Sequence, residues 1–206
     1  MQGKFITLEG TDGCGKSTQT KMLLEYLKGK NIKTVYTREP GGTEIGEKIR
    51  EVALDKNLEN MHSMTELLLM IAARIQHINE IILPAIEKGE WVICDRFTDA
   101  TIAYQAYGSG VDINCIYRLL KEAGCILKPD LTFFIDIDIT EGLSRLTGEK
   151  DRFESKGIDY LEAVRRGYKE IAKQEPERVK VLDGALDREV VSKEIQEYIN
   201  VKNREK

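Results

Sequence analysis

The stretch of sequence that decides the fold is Gly10-Thr11-Asp12-Gly13-Cys14-Gly15-Lys16-Ser17. It fits the phosphate-binding loop pattern G-x-x-x-x-G-K-[ST]. Residues 5–8 before it are apolar and rich in strand formers, and residues 17–27 after it carry apolar side chains at helical spacing. A strand, a glycine loop and a helix in this order point backbone N–H groups and a helix N-terminus at one anion. The loop therefore predicts a nucleoside triphosphate site, with Lys16 on the β- and γ-phosphates and the Ser17 hydroxyl on Mg²⁺.

Composition describes one ordinary globular domain. The chain has 206 residues, of which 41% are hydrophobic and 32% charged, and its formal net charge is −4. We therefore expect a single domain over residues 1–206. The acidic balance argues against a general nucleic-acid surface. We also expect no membrane span and no signal peptide. The four cysteines lack the spacing of a metal site or a disulfide framework, which favours the cytoplasm.

The pattern of apolar runs predicts an α/β fold. Strand-length runs occur at residues 5–8, 33–36, 91–94, 131–135 and 179–182. Helical patterns separate them, so we expect a five-stranded parallel sheet with helices on both faces, a three-layer sandwich. The longest helix is predicted to begin at Ser63 with a capping box to Glu66, and to kink or end at Pro84.

Charged residues follow the second and third predicted strands, at the sheet edge where open α/β folds bind ligands. Arg38 offers a bidentate fork for a phosphate, and Glu39 a carboxylate within reach of Mg²⁺. Asp95 follows an apolar strand, as the second Mg²⁺ contact of a P-loop protein does, and Arg96 adds a phosphate donor. A surface ion pair at 38–39 and a buried structural pair at 95–96 remain the alternatives.

Arg74 interrupts the apolar stripe of the long helix, one turn after Met70. A charge on a core-facing stripe is costly without a partner. A base carbonyl of a substrate and a carboxylate across the core are equally good partners by sequence alone.

Together the motifs resemble one family. They are Leu8-Glu9-Gly10 with Asp12, Thr37-Arg38-Glu39-Pro40-Gly41-Gly42, Ala72-Ala73-Arg74, Asp95-Arg96, Ala103-Tyr104-Gln105, Lys128-Pro129-Asp130-Leu131 and Asp151-Arg152-Phe153-Glu154. In this order and spread the chain resembles the bacterial thymidylate kinases, which are P-loop nucleoside monophosphate kinases. The resemblance implies a kinase that transfers the ATP γ-phosphoryl group to dTMP, giving dTDP and ADP, with Mg²⁺ as cofactor.

The resemblance also implies roles for acceptor-site residues. Asp12 would meet the 3′-hydroxyl of the acceptor sugar, while Arg38 and Arg96 would hold its phosphate. Glu39 and Asp95, with Ser17, would act near Mg²⁺. Arg74 would donate to thymine O4, Gln105 and Thr101 would lie against the base edge, and Tyr104 would crowd the 2′ position. Met70 stands where the family usually has a stacking aromatic ring, and Ser109 where a basic residue is common.

Residues 143–155 are the candidate for a short lid. Arg145, Lys150 and Arg152 could close over ATP and exclude water, unless the segment is only a solvated charged loop. The resemblance implies a catalytic basic residue either within the phosphate-binding loop or in this lid. Positions 11–14 of the loop carry no basic residue, so, as in the bacterial subtype of the family, the catalytic cation is expected in the lid, with Arg152 as first choice because it lies in the family motif. The predicted catalytic set is Asp12, Lys16, Arg96 and Arg152. The predicted ATP-binding set is Gly10, Asp12, Gly13, Cys14, Gly15, Lys16, Ser17, Thr18, Arg145 and Lys150.

Two other functions remain open by sequence. A kinase for another deoxynucleoside monophosphate would share the fold, but Arg74 suits a carbonyl better than the amine of cytosine. A partner-dependent P-loop ATPase would need no acceptor, and a GTP switch would need an Asn-Lys-x-Asp run that the sequence lacks. The resemblance further implies a homodimer formed through long helices, which the apolar helix at residues 63–83 permits.

Overall fold

The computed structural model describes residues 3–147 and 151–204. Within these ranges the strands are β1 (Phe5–Glu9), β2 (Thr34–Arg38), β3 (Trp91–Asp95), β4 (Leu131–Asp136) and β5 (Val179–Asp183). The α-helices are α1 (Lys16–Gly29), α2 (Glu44–Leu54), α3 (Ser63–His77), α4 (Leu83–Glu87), α5 (Thr98–Thr101), α6 (Ile113–Glu122), α7 (Ile139–Ser144), α8 (Ile158–Gln174) and α9 (Arg188–Arg204). Two π-helical segments, Ile78–Ile82 and Ile102–Gly108, and a 3₁₀ turn, Glu154–Lys156, complete the described elements.

The five strands form one parallel sheet in the order β2-β3-β1-β4-β5. The predicted five-stranded parallel sheet is confirmed, and each strand ends one or two residues later than expected, at a charged residue. The register places Asp95 opposite both Arg38 on β2 and Leu8 on β1. The carboxyl ends of the three strands therefore meet at one edge, and the segments that follow them start side by side.

The side chains of the sheet alternate between two hydrophobic layers, as parallel strands covered on both faces require. Ile6 and Phe133 face a cluster that includes Leu23 of α1 and Ile195 of α9. Neighbouring strand residues point the other way, into a cluster built from α3, α6, α8 and the second π-helical segment. The predicted three-layer sandwich is confirmed.

The long helix differs from its sequence prediction at its start. His62 is the N-cap, and its Nδ1 accepts a hydrogen bond from the Met64 N–H at 3.2 Å. Ser63 is the first helical residue, so the predicted capping box is wrong. Glu66 is drawn instead into the interior, where cationic side chains compete for its carboxylate.

The long helix continues past Pro84. The chain passes from α3 through a π-helical turn into α4, with Pro84 in the first turn of α4. In this wider turn the Leu83 N–H bonds the Ile78 carbonyl. The turn accommodates Pro84, which has no backbone N–H to donate and whose ring would clash with the preceding turn of a regular α-helix. The sequence predicted a kink or an end at Pro84; the chain stays helical through this residue, so the predicted end is wrong.

The run Ser63–Glu87 is long and apolar enough to cross a membrane by length and composition, which the sequence prediction overlooked. In the structure it packs against the sheet, with Leu67 and Ile71 buried in the core. The same buried face carries Glu66 and Arg74, both ion-paired. These features are those of a core helix.

Candidate active site

The phosphate-binding loop lies between β1 and α1 and packs closely against α7. Gly13 has φ of 76°, and a Cβ there would stand 1.9 Å from the Gly142 carbonyl oxygen. Gly15, at φ of 99°, occupies the N-cap of α1. Gly13 combines a left-handed backbone with this close approach, whereas at Gly15 the positive φ alone favours glycine, since a Cβ there would meet no atom within 4 Å. The glycines therefore form a tight loop that opens directly into a helix N-terminus.

Lys16 lies inside the loop. Its Nζ donates to the carbonyl oxygens of Gly10 at 2.9 Å and Thr11 at 3.1 Å, and lies 3.8 Å from Asp12 Oδ1. The Lys16 side chain is buried, whereas Ser17 and Thr18 are exposed at the mouth of the loop. Lys16, from within the loop, and Ser17, at its mouth, both line the same cavity.

Arg96 connects the loop to the core. Its guanidinium bonds Asp12 Oδ1 at 2.6 Å and the Gly10 carbonyl at 2.8 Å, and stacks over the Tyr104 ring at 5.0 Å. Its φ of 68° is unusual for a bulky residue, and such strain is found most often at functional sites. Burial alone would raise the pKa of Asp12, but the charges of Arg96 and then Lys16 outweigh it and lower that pKa. Asp12 and Arg96, both predicted, form one charged pair.

A third arginine, which the sequence analysis missed, lies beside this pair. Arg50 on α2 donates to the Pro40 carbonyl at 2.9 Å. Burial and then the positive charge of Arg38 lower its pKa, and Arg96 acts in the same direction. Arg38 is half-exposed and pairs with Glu47 at 2.8 Å. Guanidinium groups that lie this close together are suited to the oxygens of a phosphate.

Two cavities adjoin at these arginines. The first is called the inner pocket and is lined by Leu54, Met70, Arg74, Phe97, Thr101, Tyr104, Gln105, Asp151 and Phe153, among others. The second is called the outer cavity and is lined by the loop residues 12–18, Arg38, Asp95, Arg145, Gly184 and Arg188, among others. Asp12, Glu39, Arg50 and Arg96 line both. The two arginines therefore form a cationic wall that the two cavities share.

The inner pocket combines apolar walls with unpaired polar atoms. Arg74 Nη1 and the Tyr104 hydroxyl are buried without a hydrogen-bond partner among the described residues. Tyr104 packs edge-on against Phe153, with centroids 5.5 Å apart, and Met70 lines the same pocket. Orphaned buried donors are costly unless a ligand takes them. This pocket is therefore built for a flat, apolar ligand with hydrogen-bonding edges.

Both partners proposed for Arg74 are compatible with its geometry. Its Nε and Nη2 bond Glu39 Oε2 at 2.8 and 2.6 Å, and Nη2 also bonds Thr101 Oγ1 at 2.9 Å. Its remaining nitrogen, Nη1, is the orphan of the inner pocket. The Glu39 carboxylate thus balances the buried charge of Arg74, while Arg74 Nη1 stays free to donate to a substrate.

The predicted magnesium ligands divide into two groups. Glu39 is engaged through both oxygens, with Arg74 on Oε2 and His77 Nδ1 on Oε1 at 2.9 Å, which argues against it as a direct ligand. Asp95 Oδ1, by contrast, is buried without a hydrogen-bond partner among the described residues, and Ser17 lies exposed in the same cavity. Oxygen donors with room for water and phosphate suit Mg²⁺. Ser17 and Asp95 therefore fit a magnesium ion.

Arg152 does not lie at the outer cavity. Its Nη1 bonds Glu66 Oε2 at 2.7 Å, its Nε bonds the Ala53 carbonyl at 2.8 Å, and its side chain is 4% exposed. The prediction of Arg152 as a lid cation over ATP is at odds with this placement, because its charge is already paired with a buried carboxylate. Of the other lid cations, Arg145 lines the outer cavity and bonds the Gly184 carbonyl at 2.9 Å. Lys150 lies outside the described residues.

Comparison with known proteins agrees with this geometry. A profile of the thymidylate kinase family, described as "Thymidylate kinase", matches residues 8–195. The chain belongs to the thymidylate kinase family. It is 44% identical over 203 residues to a thymidylate kinase of Ruthia magnifica subsp. Calyptogena magnifica, covering 98% of this chain and 99% of the relative. It is 49% identical over 185 residues to that of Ectopseudomonas mendocina, covering 89% and 88%.

A solved structure also matches. The crystal structure of thymidylate kinase from Ehrlichia chaffeensis superposes with a TM-score of 0.77 at 37% identity, covering 97% of this chain and 99% of that one. The predicted family and P-loop kinase fold are therefore confirmed. Within this thymidylate kinase fold, sequence reasoning missed Arg50, and it assigned Glu66 to a helix cap rather than to its buried pair with Arg152. Arg50 followed Glu47 at helical spacing, which was the one local signal available.

Proposed function

We propose that this protein transfers the γ-phosphoryl group of ATP to dTMP, giving ADP and dTDP for dTTP synthesis. The observation that carries the proposal is the pair of cavities that share Asp12, Arg50 and Arg96 as a common wall. A switch or an ATPase needs the outer cavity alone. A second pocket with its own orphaned donors, on the far side of the same cations, is what a phosphoryl acceptor requires.

ATP binds in the outer cavity. The phosphates lie on the N–H groups of the loop and the N-terminus of α1, with the Lys16 ammonium on the β- and γ-phosphates. Ser17 and Asp95 hold Mg²⁺, which when bound neutralises phosphate charge. Arg145 and Gly184, which line the same cavity and are joined by a hydrogen bond, are our candidates for the adenosine side.

The acceptor dTMP binds in the inner pocket. Arg74 Nη1 donates to thymine O4, and Gln105 and Thr101 lie along the base edge. Met70 packs on the ring through its polarizable sulfur. Tyr104 stands near the sugar and leaves no room for a 2′-hydroxyl, while Asp12 meets the 3′-hydroxyl.

Transfer requires positioning and charge neutralisation more than acid–base catalysis. A phosphate oxygen of dTMP forms a bond to the γ-phosphorus as the bond to the β–γ bridging oxygen breaks, and ADP leaves. Lys16, Arg50 and Arg96 surround this path, and Arg38 extends the cationic wall at its exposed end. In this proposal Arg152 supports the pocket through Glu66, and a catalytic role would require it to leave that carboxylate.

A coupled assay of ADP release across an acceptor panel tests the proposal. We expect ADP formation to depend on the acceptor, with dTMP faster than dUMP, dCMP and dGMP. Lys16→Ala should abolish it. Equal ADP release with and without dTMP would contradict a kinase, and a faster rate with another acceptor would reassign the substrate.

We further propose that residues 1–206 form one kinase domain, that the enzyme is cytoplasmic, and that it acts as a homodimer. α2 and α3 pack against each other, and together they expose Ile45, Val52, Leu68 and Ile75. An apolar surface shared by two neighbouring helices favours self-association through that face.

A further inference from the structure

Glu66 is a buried carboxylate to which four side chains donate. It is 1% exposed and lies on α3. Its Oε1 accepts from Gln105 Nε2 at 2.9 Å and from the Ser109 hydroxyl at 3.4 Å. Its Oε2 accepts from Arg152 Nη1 at 2.7 Å and Lys156 Nζ at 2.9 Å. The two oxygens thus have separate partners. Oε1 bonds Gln105, which lines the inner pocket, and Ser109, while Oε2 bonds Arg152 near the end of the predicted lid and Lys156 just after it.

The carboxylate determines which way the Gln105 amide points. Burial works to raise the pKa of Glu66, but the hydrogen bonds from Gln105, Lys156 and Arg152 together lower it, so the group is ionised. An ionised carboxylate only accepts hydrogen bonds, so the Gln105 amide must turn its NH₂ toward Glu66. The Gln105 carbonyl oxygen then accepts no hydrogen bond from any described residue, and Gln105 lines the inner pocket.

Helix α3 carries Glu66 on the same face as the residues proposed to contact the base. Glu66, Met70 and Arg74 are spaced by four residues on α3 and share one face. Gln105 and Arg74 both line the inner pocket. The Gln105 amide donates through Nε2 to Glu66, which leaves its Oε1 without a donor among the described residues, and Arg74 Nη1 is buried without a partner there. Thymine and uracil present an N3–H donor beside an O4 acceptor, whereas cytosine presents an N3 acceptor beside an amine donor. With the Gln105 amide held in this orientation, its carbonyl oxygen can accept the N3–H of thymine or uracil, whereas in cytosine it would meet the N3 acceptor.

We propose that Glu66 is a positioning residue that holds the Gln105 amide in the orientation that accepts a pyrimidine N3–H, and so contributes to the selection of thymine over cytosine. The inference rests on the proposed function. It assigns Glu66 an effect on specificity that a purely structural ion pair with Arg152 would lack. Because Oε1 and Oε2 have separate partners, the two roles can be separated by mutation.

The test is Glu66→Gln, assayed for kcat/KM with dTMP, dUMP and dCMP. A glutamine at position 66 can itself donate, which frees the Gln105 amide to turn over and present NH₂ to the base. We expect the ratio of kcat/KM for dTMP to that for dCMP to fall about tenfold, mainly through KM, with dUMP following dTMP. This ratio does not depend on the fraction of folded enzyme, so lost stability alone cannot move it.

Lys156→Met is the matched control, because it removes a partner of Oε2 and leaves Oε1 with Gln105. It should lower stability and leave the dTMP to dCMP ratio unchanged. An unchanged ratio in Glu66→Gln would overturn the inference. If that variant does not fold, Glu66→Asp, whose carboxylate is withdrawn from Gln105, must lower the ratio instead, and an unchanged ratio there would overturn it equally. Failure of the wild type to phosphorylate dTMP would refute the proposed function instead.

Discussion

Arg74 shows how a single side chain serves both the fold and the ligand. Three of its hydrogen-bonding contacts go to Glu39 and Thr101, while Nη1 remains free in the inner pocket. The buried Glu39 carboxylate pairs with this guanidinium through Oε2 and contacts the His77 ring through Oε1. Truncating Arg74 would therefore remove a substrate contact and leave a buried carboxylate underpaired at the same time.

Two substitutions at Arg74 separate these roles. Arg74→Lys keeps a cation for Glu39 but loses the planar fork, so we expect the KM for dTMP to rise about tenfold while kcat changes little. Arg74→Ala should also lower the free energy of unfolding by about 3–5 kcal/mol, because it leaves a buried charge without its main partner. Steady-state kinetics and urea denaturation measure the two effects. An unchanged KM in Arg74→Lys would remove the base-reading role.

Glu9 gives the molecule a dependence of stability on pH. It is fully buried, with Oε1 accepting the Phe97 N–H at 2.7 Å and Oε2 the Tyr168 hydroxyl at 2.8 Å. Burial, and then the negative charge of Asp99, raise its pKa from 4.5 to about 8. The folded state therefore holds this proton more tightly than the unfolded chain. Its contribution to stability is present below pH 4.5, is lost as pH rises toward 8, and is constant above that.

Glu9→Gln should remove this contribution. We expect the free energy of unfolding of the wild type to fall between pH 5 and 8 by on the order of 3 kcal/mol more than that of the variant. Urea denaturation of both proteins at several pH values in this window gives the difference directly. Parallel pH profiles for the two proteins would show that Glu9 titrates normally in the folded state.

At the scale of elements, the loop between β1 and α1 works only because it is held against α7. A Cβ at Gly13 would collide with the Gly142 backbone, which side-chain movement cannot relieve. The loop can therefore adopt its conformation only if residue 13 is small enough to pack against α7. The same dependence on a neighbour appears in α3, where the residues that face the inner pocket are fixed by partners on other elements.

Gly13→Ala should cost about 2 kcal/mol or more in unfolding free energy and abolish stabilisation by ATP. The collision displaces the loop N–H groups from the phosphate positions. Gly29→Ala is the control, because a Cβ at this last residue of α1 meets no atom within 4 Å. It should raise stability by up to about 1 kcal/mol and keep the response to ATP. Thermal unfolding with and without ATP measures both, and a normal ATP shift in Gly13→Ala would contradict the account of the loop.

At the scale of the whole molecule, much of the architecture could be predicted because its signals are local. The apolar strand runs and the charged residues that follow them place Arg38, Asp95 and Arg96 at one sheet edge. The family and the enzyme class predicted from the motifs are likewise confirmed. The family and the enzyme class follow from the order and spacing of short motifs, which can be read from the sequence without knowing how the elements pack.

Contacts between distant segments could not be predicted in this way. Arg152 was assigned to the lid from its motif, but its partner Glu66 lies 86 residues away. Glu66 itself satisfied a local capping pattern that the fold does not use. Arg50 reaches the phosphate wall from α2, where it bonds the carbonyl of Pro40 in the segment after β2. In each case the choice of partner is made by tertiary packing.

The proposed homodimer is a prediction at this scale. Leu68, exposed on α3 beside the exposed side chains of α2, would lie in the interface. We expect light scattering at micromolar concentration to give twice the mass of one chain, and Leu68→Glu to give that of a single chain. Lys21→Glu, on exposed α1, is the control and should leave the mass unchanged. A wild type that scatters as a monomer would refute the dimer.

In the proposed mechanism, ATP and dTMP bind on either side of Asp12 and Arg96, and a phosphoryl group passes from ATP to dTMP. Following the label from γ-³²P ATP tests it most directly. With dTMP present, the account predicts that the label appears in dTDP in amounts equal to the ADP formed. Without dTMP, no ADP should accumulate. Label released as inorganic phosphate at the same rate with or without dTMP would contradict the account.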